Sequence, residues 1–225
     1  GSTIEDGKQL DHGRVYRISF GKTSVTKQAE KYSRPYAEWT LRELIDDLRH
    51  NTLPVRCTNA QKELVNRAST AADSLISETR RTDLPAGAST WLIWTLAQLP
   101  EETAIDTFLI RAAASQDSSA SERTQALKAL GFRSTRFHIR LPEIVSNSLK
   151  DEDPRIRFAA IQAVRESRAD ELADELWQLV STEQDRATFY AARVTLGLIQ
   201  KPDRLRQKLR NGTTGQRRAA LMTLL

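Results

Sequence analysis

Three histidines and one cysteine are the residues of this sequence best suited to metal binding or nucleophilic chemistry. His12, His50 and His138 are scattered along the chain, and none has a second histidine or a carboxylate at a recurring metal-ligand spacing. Cys57 is single, which excludes an internal disulfide and a cysteine-based zinc site. Its position in a predicted helix favours a buried small apolar side chain over a reactive thiol. The sequence therefore predicts no metal ligands and no cofactor in this chain.

Other side chains suited to chemistry also lack the spacing that catalysis needs. Serine, histidine and aspartate are all present, but no nucleophile elbow brings them together, and no glycine-rich phosphate loop occurs. The acidic run 151–153 lacks the alternating oxygens and glycine turn of a calcium loop, so we interpret it as a helix N-terminus. The aromatic residues could line a ligand groove, but packing between neighbouring helices is favoured; they are Trp91, Trp94, Phe108 and Phe132. We therefore predict no catalytic residues.

Arginines form two local clusters that could contact an acidic partner or a phosphate backbone. Solvated helix faces and charge partners of helix C-termini explain most such clusters. The predicted interaction patch consists of Arg133, Arg136, Arg140, Arg204, Arg206, Arg217 and Arg218.

The net charge of +5 is unevenly distributed along the chain. Residues 1–36 carry a net +3, residues 37–200 a net −4 and residues 201–225 a net +6. By this count, the excess of basic residues lies at the two ends of the chain. A continuous groove for nucleic acid needs basic residues along the middle of the chain as well. This distribution disfavours nucleic-acid binding.

The elements that carry these residues are predicted to be helices from residue 35 onward. Trp39, Leu41, Leu44 and Leu48 recur at three- and four-residue spacing, with charged residues between them. A helix opening recurs as well: Asp153-Pro154-Arg155-Ile156-Arg157 is followed by small alanines, and similar openings occur near residues 54, 89, 121, 188 and 216. The period of about 33–34 residues, with two helices in each unit, is typical of an α-solenoid.

First helices of each unit are predicted between these openings, at residues 69–80, 101–114, 135–149, 170–181 and 202–210. We therefore predict an all-α fold, an α-solenoid of about five to six helical hairpins over residues 35–225. The last unit ends without a polar cap, which suggests that the native array continues. No apolar run approaches the length of a membrane span, so membrane insertion by this chain is not expected.

Residues 1–34 differ from the rest and are predicted to be an extended segment. Gly1-Ser2 is typical of a cloning remnant, so we interpret the chain as a piece of a longer protein. Residues 14–20 alternate between polar and apolar side chains, which predicts a strand. A single strand is unstable alone, so it would join the array or end a preceding domain. Residues 22–34 are predicted to be a linker.

The helix opening at 153–160 resembles the HEAT repeat family, whose repeats carry an Asp-x-x-x-Val-Arg-x-x-Ala opening. The resemblance covers roughly residues 35–225. It implies a helical superhelix used as an adaptor, a spacer or a peptide groove, and occasionally for DNA binding. The fold alone does not set the function.

A second resemblance concerns His12-Gly13-Arg14-Val15-Tyr16-Arg17-Ile18 and Trp91-Leu92-Ile93-Trp94-Thr95-Leu96. Together they are similar to secreted planctomycete-type proteins in which a dehydrogenase-like β-propeller precedes a HEAT region and a cytochrome c. This resemblance implies an exported or periplasmic scaffold that contacts another domain or a protein partner. This chain lacks the Cys-x-x-Cys-His haem motif, so neither haem nor dehydrogenase chemistry is expected in it. The alternative from another class is a nucleic-acid-binding HEAT-like module, which the pI of about 9.5 motivates.

Overall fold

The computed structural model describes residues 4–5, 8–9, 32–50, 52–81, 83–85, 87–100 and 103–225. The chain divides into two units, Gly1–Glu38 and Trp39–Leu225. In the first unit, strand β1 (Ile4–Glu5) pairs antiparallel with β2 (Lys8–Gln9), and a 3-10 helix spans Tyr36–Glu38. The predicted strand at 14–20 and most of the predicted linker lie outside the described residues, so both stay predictions.

The described part of the second unit consists of α-helices with two short 3-10 helices. The α-helices are α1 (Leu41–His50), α2 (Pro54–Asn66), α3 (Ala72–Thr79), α4 (Ala88–Gln98), α5 (Thr103–Ala114), α6 (Ala120–Phe137), α7 (Glu143–Ser148), α8 (Pro154–Ser167), α9 (Ala173–Thr182), α10 (Arg186–Ile199), α11 (Pro202–Asn211) and α12 (Thr214–Leu224). The 3-10 helices span Ala68–Thr70 and Asp170–Leu172 and precede α3 and α9.

Successive helices form hairpins, each with an odd-numbered first helix and an even-numbered second helix. Each second helix packs against the next, in the order α2, α4, α6, α8, α10 and α12. This stacking of hairpins confirms the predicted all-α solenoid.

Polar side chains start most of the second helices where the sequence predicted them to start. Ser119 accepts a hydrogen bond from the Glu122 amide at the start of α6, and Asp153 accepts one from the Arg155 amide at the start of α8. Asp185 caps α10 and Thr213 caps α12 in the same way, each by accepting a hydrogen bond from an amide of the helix. Each cap satisfies an amide that has no partner inside its helix.

Small residues allow the second helices to approach closely. Ala159, Ala160 and Ala163 of α8 are buried. A Cβ placed on Gly131 of α6 would lie 2.6 Å from the Cα of Ala163. Close approach of this kind needs glycine or alanine on both helices, as the run of small residues predicted.

The predicted start of one first helix, at residue 135, was wrong. Residues 135–137 end α6 rather than begin the next first helix, and α7 begins only at Glu143. The chain leaves α6 at His138, whose φ of 57° is left-handed, and the Ile139 amide donates to the Ser134 carbonyl. That geometry closes a helix C-terminus.

The first helix of the array begins later than its apolar pattern suggested. Thr40 and Glu43 cap each other reciprocally, so α1 begins at Leu41 rather than near Pro35. In the residues that the structure describes, no helix has the length and apolar character that crossing a bilayer requires.

Candidate functional site

The residues of the predicted interaction patch do not lie on one surface. Arg136 is exposed near the end of α6, and Arg140 is exposed in the loop that follows. Arg204 and Arg206 lie on a first helix, α11, whereas the two remaining arginines lie on a second helix, α12. The exposed members of the set are Arg136, Arg140, Arg204, Arg206, Arg217 and Arg218.

Arg133 is buried, so its assignment to an interaction patch was wrong. Only 1% of the residue is exposed. Its Nε donates to Asp106 of α5 at 2.6 Å, and Nη1 donates to the Leu99 carbonyl at 2.8 Å. Its guanidinium also lies over the Phe137 ring, 4.8 Å from the centroid. Arg133 therefore ties α6 to the preceding hairpin.

Three exposed arginines make contacts at the surface of the array. Arg206 pairs with Asp203 one turn earlier, and Arg217 donates to the Gly212 carbonyl. Arg218 lies over the Phe189 ring of α10, 4.7 Å from its centroid. These contacts leave the guanidinium groups at the surface, where each keeps donors for a ligand.

Arg157 is the recurring arginine of the helix opening, and it connects two repeats. Its Nε and Nη2 each donate to a carboxylate oxygen of Glu183 at 2.7 Å, and its Nη1 donates to the Asp151 carbonyl at 2.8 Å. Burial by itself would raise the pKa of Glu183. Hydrogen bonds from Arg157 and from the Asp185 amide outweigh burial, so the pKa lies below its ordinary value. Arg123 makes the matching contact one repeat earlier, with the Asp151 carboxylate.

The sequence identified these arginines but not their acceptors. Glu183 follows Arg157 by 26 residues, and Asp151 follows Arg123 by 28. A carboxylate just before the next second helix is therefore the signal that could have identified them. The acidic run 151–153 serves here as an ion-pair partner and as the α8 cap, which agrees with the helix-terminus interpretation.

The exposed sides of the second helices, which pack in series, are here called the second-helix surface. A cleft of about 500 Å³ opens on it between α6, α8 and α10, here called the α6–α10 cleft. Its lining includes Lys128, Pro154, Arg155, Phe158, Asp185 and Ala187. Tyr190 follows the lining residue Ala187 by three positions on α10 and is 57% exposed. The Arg193 guanidinium lies 4.6 Å from the centre of its ring. Such a cleft can hold an apolar side chain beside charged groups.

The predicted aromatic set lies between hairpins. The Trp94 indole packs edge-on against Phe132 of α6, with 5.9 Å between ring centres, and donates to Gln125 at 2.8 Å. Trp91 is half-buried on the same helix. The contacts of Trp94 agree with the packing interpretation.

The residues suited to chemistry do not converge in the described part of the chain. Cys57 is buried, and burial raises the pKa of its thiol, which disfavours the thiolate. His50 is exposed near Asp46, and His138 ends α6; His12 lies outside the described residues. Within the described ranges, no three histidine, cysteine or acidic side chains are grouped as metal ligands.

Comparison with known proteins agrees with this fold. Residues 107–197 match the family model for HEAT repeats. That segment extends from within α5 to within α10 and includes the α6–α10 cleft. The recognition of HEAT repeats from the helix openings is thereby confirmed. No curated protein matches the chain significantly.

Two solved structures share this architecture. A chain in the complex of CpcE and CpcF of phycocyanin lyase from Nostoc sp. PCC7120 has a TM-score of 0.55 and 24% identity, covering 69% of this chain and 96% of that one. YibA from E. coli has a TM-score of 0.59 and 18% identity, covering 91% of this chain and 77% of that one. At these identities the likeness shows the fold alone.

Proposed function

We propose that this chain is a non-catalytic HEAT-repeat scaffold that binds a partner protein, or another domain of the same polypeptide, through its second-helix surface. The observation that carries the proposal is the α6–α10 cleft, with half-buried Phe158 in its lining and exposed Tyr190 beside it. Aromatic side chains at the edge of a cleft are typical of protein interfaces.

The construction of the array supports a binding role. Its polar contacts, such as Arg157 with Glu183, connect neighbouring repeats and hold the second helices in register. Stacked repeats offer an extended surface for binding. One structural relative was solved as a complex of two proteins, CpcE and CpcF, which is the kind of assembly proposed here.

Site-specific photo-crosslinking tests the proposal. Tyr190 on the second-helix surface is replaced by p-benzoylphenylalanine, and exposed Gln178 on first helix α9 provides the matched control. Each variant is irradiated in an extract of the source organism. We expect a discrete protein adduct from position 190 and none from position 178. The same adducts from both positions, or none from position 190, would contradict the proposal.

Nucleic-acid binding is the second candidate, and the arginines exposed on the second helices motivate it; they include Arg136, Arg165, Arg186, Arg217 and Arg218. Each phosphate contact releases counterions, so such binding weakens steeply with salt. Electrophoretic mobility shift with duplex DNA at 50 and 200 mM salt tests this candidate. It predicts a loss of about 10³-fold or more between the two salt concentrations, and no shift at 50 mM salt excludes it.

The setting of the array is a further part of the proposal. The sequences of residues 12–18, in the predicted strand, and of residues 91–96 motivate a position between an exported dehydrogenase-like propeller and a cytochrome c. We expect the full-length protein from its host to show the absorbance of a covalent c-type haem, with bands that sharpen on addition of dithionite. A featureless spectrum would contradict this setting and leave the scaffold function intact.

A further inference from the structure

The first and second helices differ in charge, and a count along consecutive segments of the chain does not show this difference. The second helices carry thirteen lysine and arginine residues and three acidic residues. The first helices carry seven basic and ten acidic residues. The basic side of the array is therefore the side formed by the second helices, and this corrects the view that basic residues lie only at the chain ends.

Burial and pairing leave this surface basic. Arg123, Arg133 and Arg157 are engaged inside the array. Two of the three acidic residues are engaged as well: Glu63 pairs with Arg67, and Glu122 belongs to the cap of α6. The basic residues that stay exposed on the second helices are Lys62, Arg136, Arg155, Arg165, Arg186, Arg217 and Arg218.

The α6–α10 cleft combines carbon surface with charged groups at its edge. Phe158, Pro154 and Ala187 supply carbon surface. Lys128 of α6 and Arg155 of α8 supply positive charge beside them, and Asp185, the cap of α10, supplies one carboxylate. Arg155 pairs with Asp153 at 2.7 Å, but its side chain is 73% exposed and keeps donors for a ligand. A phosphate backbone would satisfy the charges without covering the carbon surface, whereas a peptide can cover both.

We propose that the second-helix surface binds an acidic peptide segment of the partner protein, which inserts one large apolar side chain into the α6–α10 cleft. This proposal rests on the proposed function and names the chemistry of the partner. The acidic residues contact Lys128 and the exposed arginines of the second helices, and the anchor covers Phe158. Complementary charge speeds and orients the encounter, and the buried anchor supplies the affinity.

Fluorescence anisotropy with defined probes tests the proposal. The probes are a labelled twelve-residue peptide of glutamate and glycine with one central tryptophan, the same peptide with alanine in place of tryptophan, and a single-stranded oligonucleotide of equal net charge. We expect the tryptophan peptide to bind about tenfold more tightly than the alanine peptide, which corresponds to about 1.4 kcal/mol. Equal affinity for the two peptides, or tighter binding of the oligonucleotide, would overturn the proposal.

Matched variants locate the binding. We expect K128E/R155E to weaken the tryptophan peptide by about tenfold or more, and F158A to remove most of the preference for tryptophan over alanine. The control R111E/R204E makes the same charge change on first helices α5 and α11, where both arginines are exposed. Circular dichroism confirms that each variant is folded. An equal loss in the control, or full affinity in K128E/R155E, would contradict the assignment.

This result is separable from the crosslinking result. A protein adduct at position 190 without binding of the acidic peptide overturns the partner chemistry and leaves the scaffold function standing. Binding of the acidic peptide that K128E/R155E removes supports the inference directly.

Discussion

At the scale of single residues, arginine has two roles in this molecule that its position in the sequence does not distinguish. Arg133 and Arg136 are three residues apart on α6, yet the first is buried against Asp106 and the second is exposed. In the sequence both belong to one cluster of arginines. Their spacing along the helix does not show which of them is buried. Only the packing of α5 against α6 separates them.

We predict that R133M destabilises the array. The substitution keeps most of the side-chain volume but leaves Asp106 and the Leu99 carbonyl without their donor. Because Asp106 is about a quarter exposed, we expect a loss of about 2 to 4 kcal/mol in the free energy of unfolding. Urea denaturation measures it. The control R136M should change it by less than about 0.5 kcal/mol, and equal effects would mean that Arg133 is not buried.

The Arg157–Glu183 pair predicts a pH dependence of stability. Glu183 has a lowered pKa in the folded chain, so its contribution is present above the ordinary carboxyl pKa and is lost as pH falls through the folded value. We expect E183Q to be less stable than the unmodified protein at pH 7, with the difference shrinking as the pH is lowered towards 3. Urea denaturation across this range measures it. The control E171Q, at an exposed position, should show no such convergence, and a difference independent of pH would contradict the assignment.

At the scale of elements, the sequence predicted the helix openings well because their signals are local. Asp153 and Pro154 define the start of α8 by capping chemistry alone. The boundary near residue 135 was predicted wrongly because the apolar pattern continues through the end of α6. The left-handed residue that ends the helix, His138, is neither glycine nor asparagine, so it gives no sequence signal.

The substitution G131A tests helix packing, because helix propensity and steric contact change the free energy of unfolding in opposite directions. Helix propensity alone predicts that G131A stabilises the protein by about 1 kcal/mol. The added methyl group would meet the backbone of Ala163 at 2.6 Å, so α6 and α8 must separate. We therefore expect G131A to lower the free energy of unfolding by about 1 to 3 kcal/mol in urea denaturation. A stabilised variant would show that the two helices are not in close contact.

At the scale of the whole molecule, the period of about 33–34 residues was enough to predict a solenoid of about five to six hairpins. The same sequence pattern did not predict that one side of the array is basic. Counting charge along the chain averages first and second helices, so residues 37–200 have a net charge of −4 although their second helices are basic. The α6–α10 cleft combines residues from three repeats, and no single segment contains its pattern.

The central claim is that partner binding uses the second-helix surface. Hydrogen–deuterium exchange tests it most directly, measured on the chain alone and in complex with the protein recovered by crosslinking at Tyr190. We predict slower exchange in α8 and α10 on binding, and unchanged exchange in the first helices α7 and α9. Protection confined to α7 and α9, with α8 and α10 unchanged, would contradict the claim.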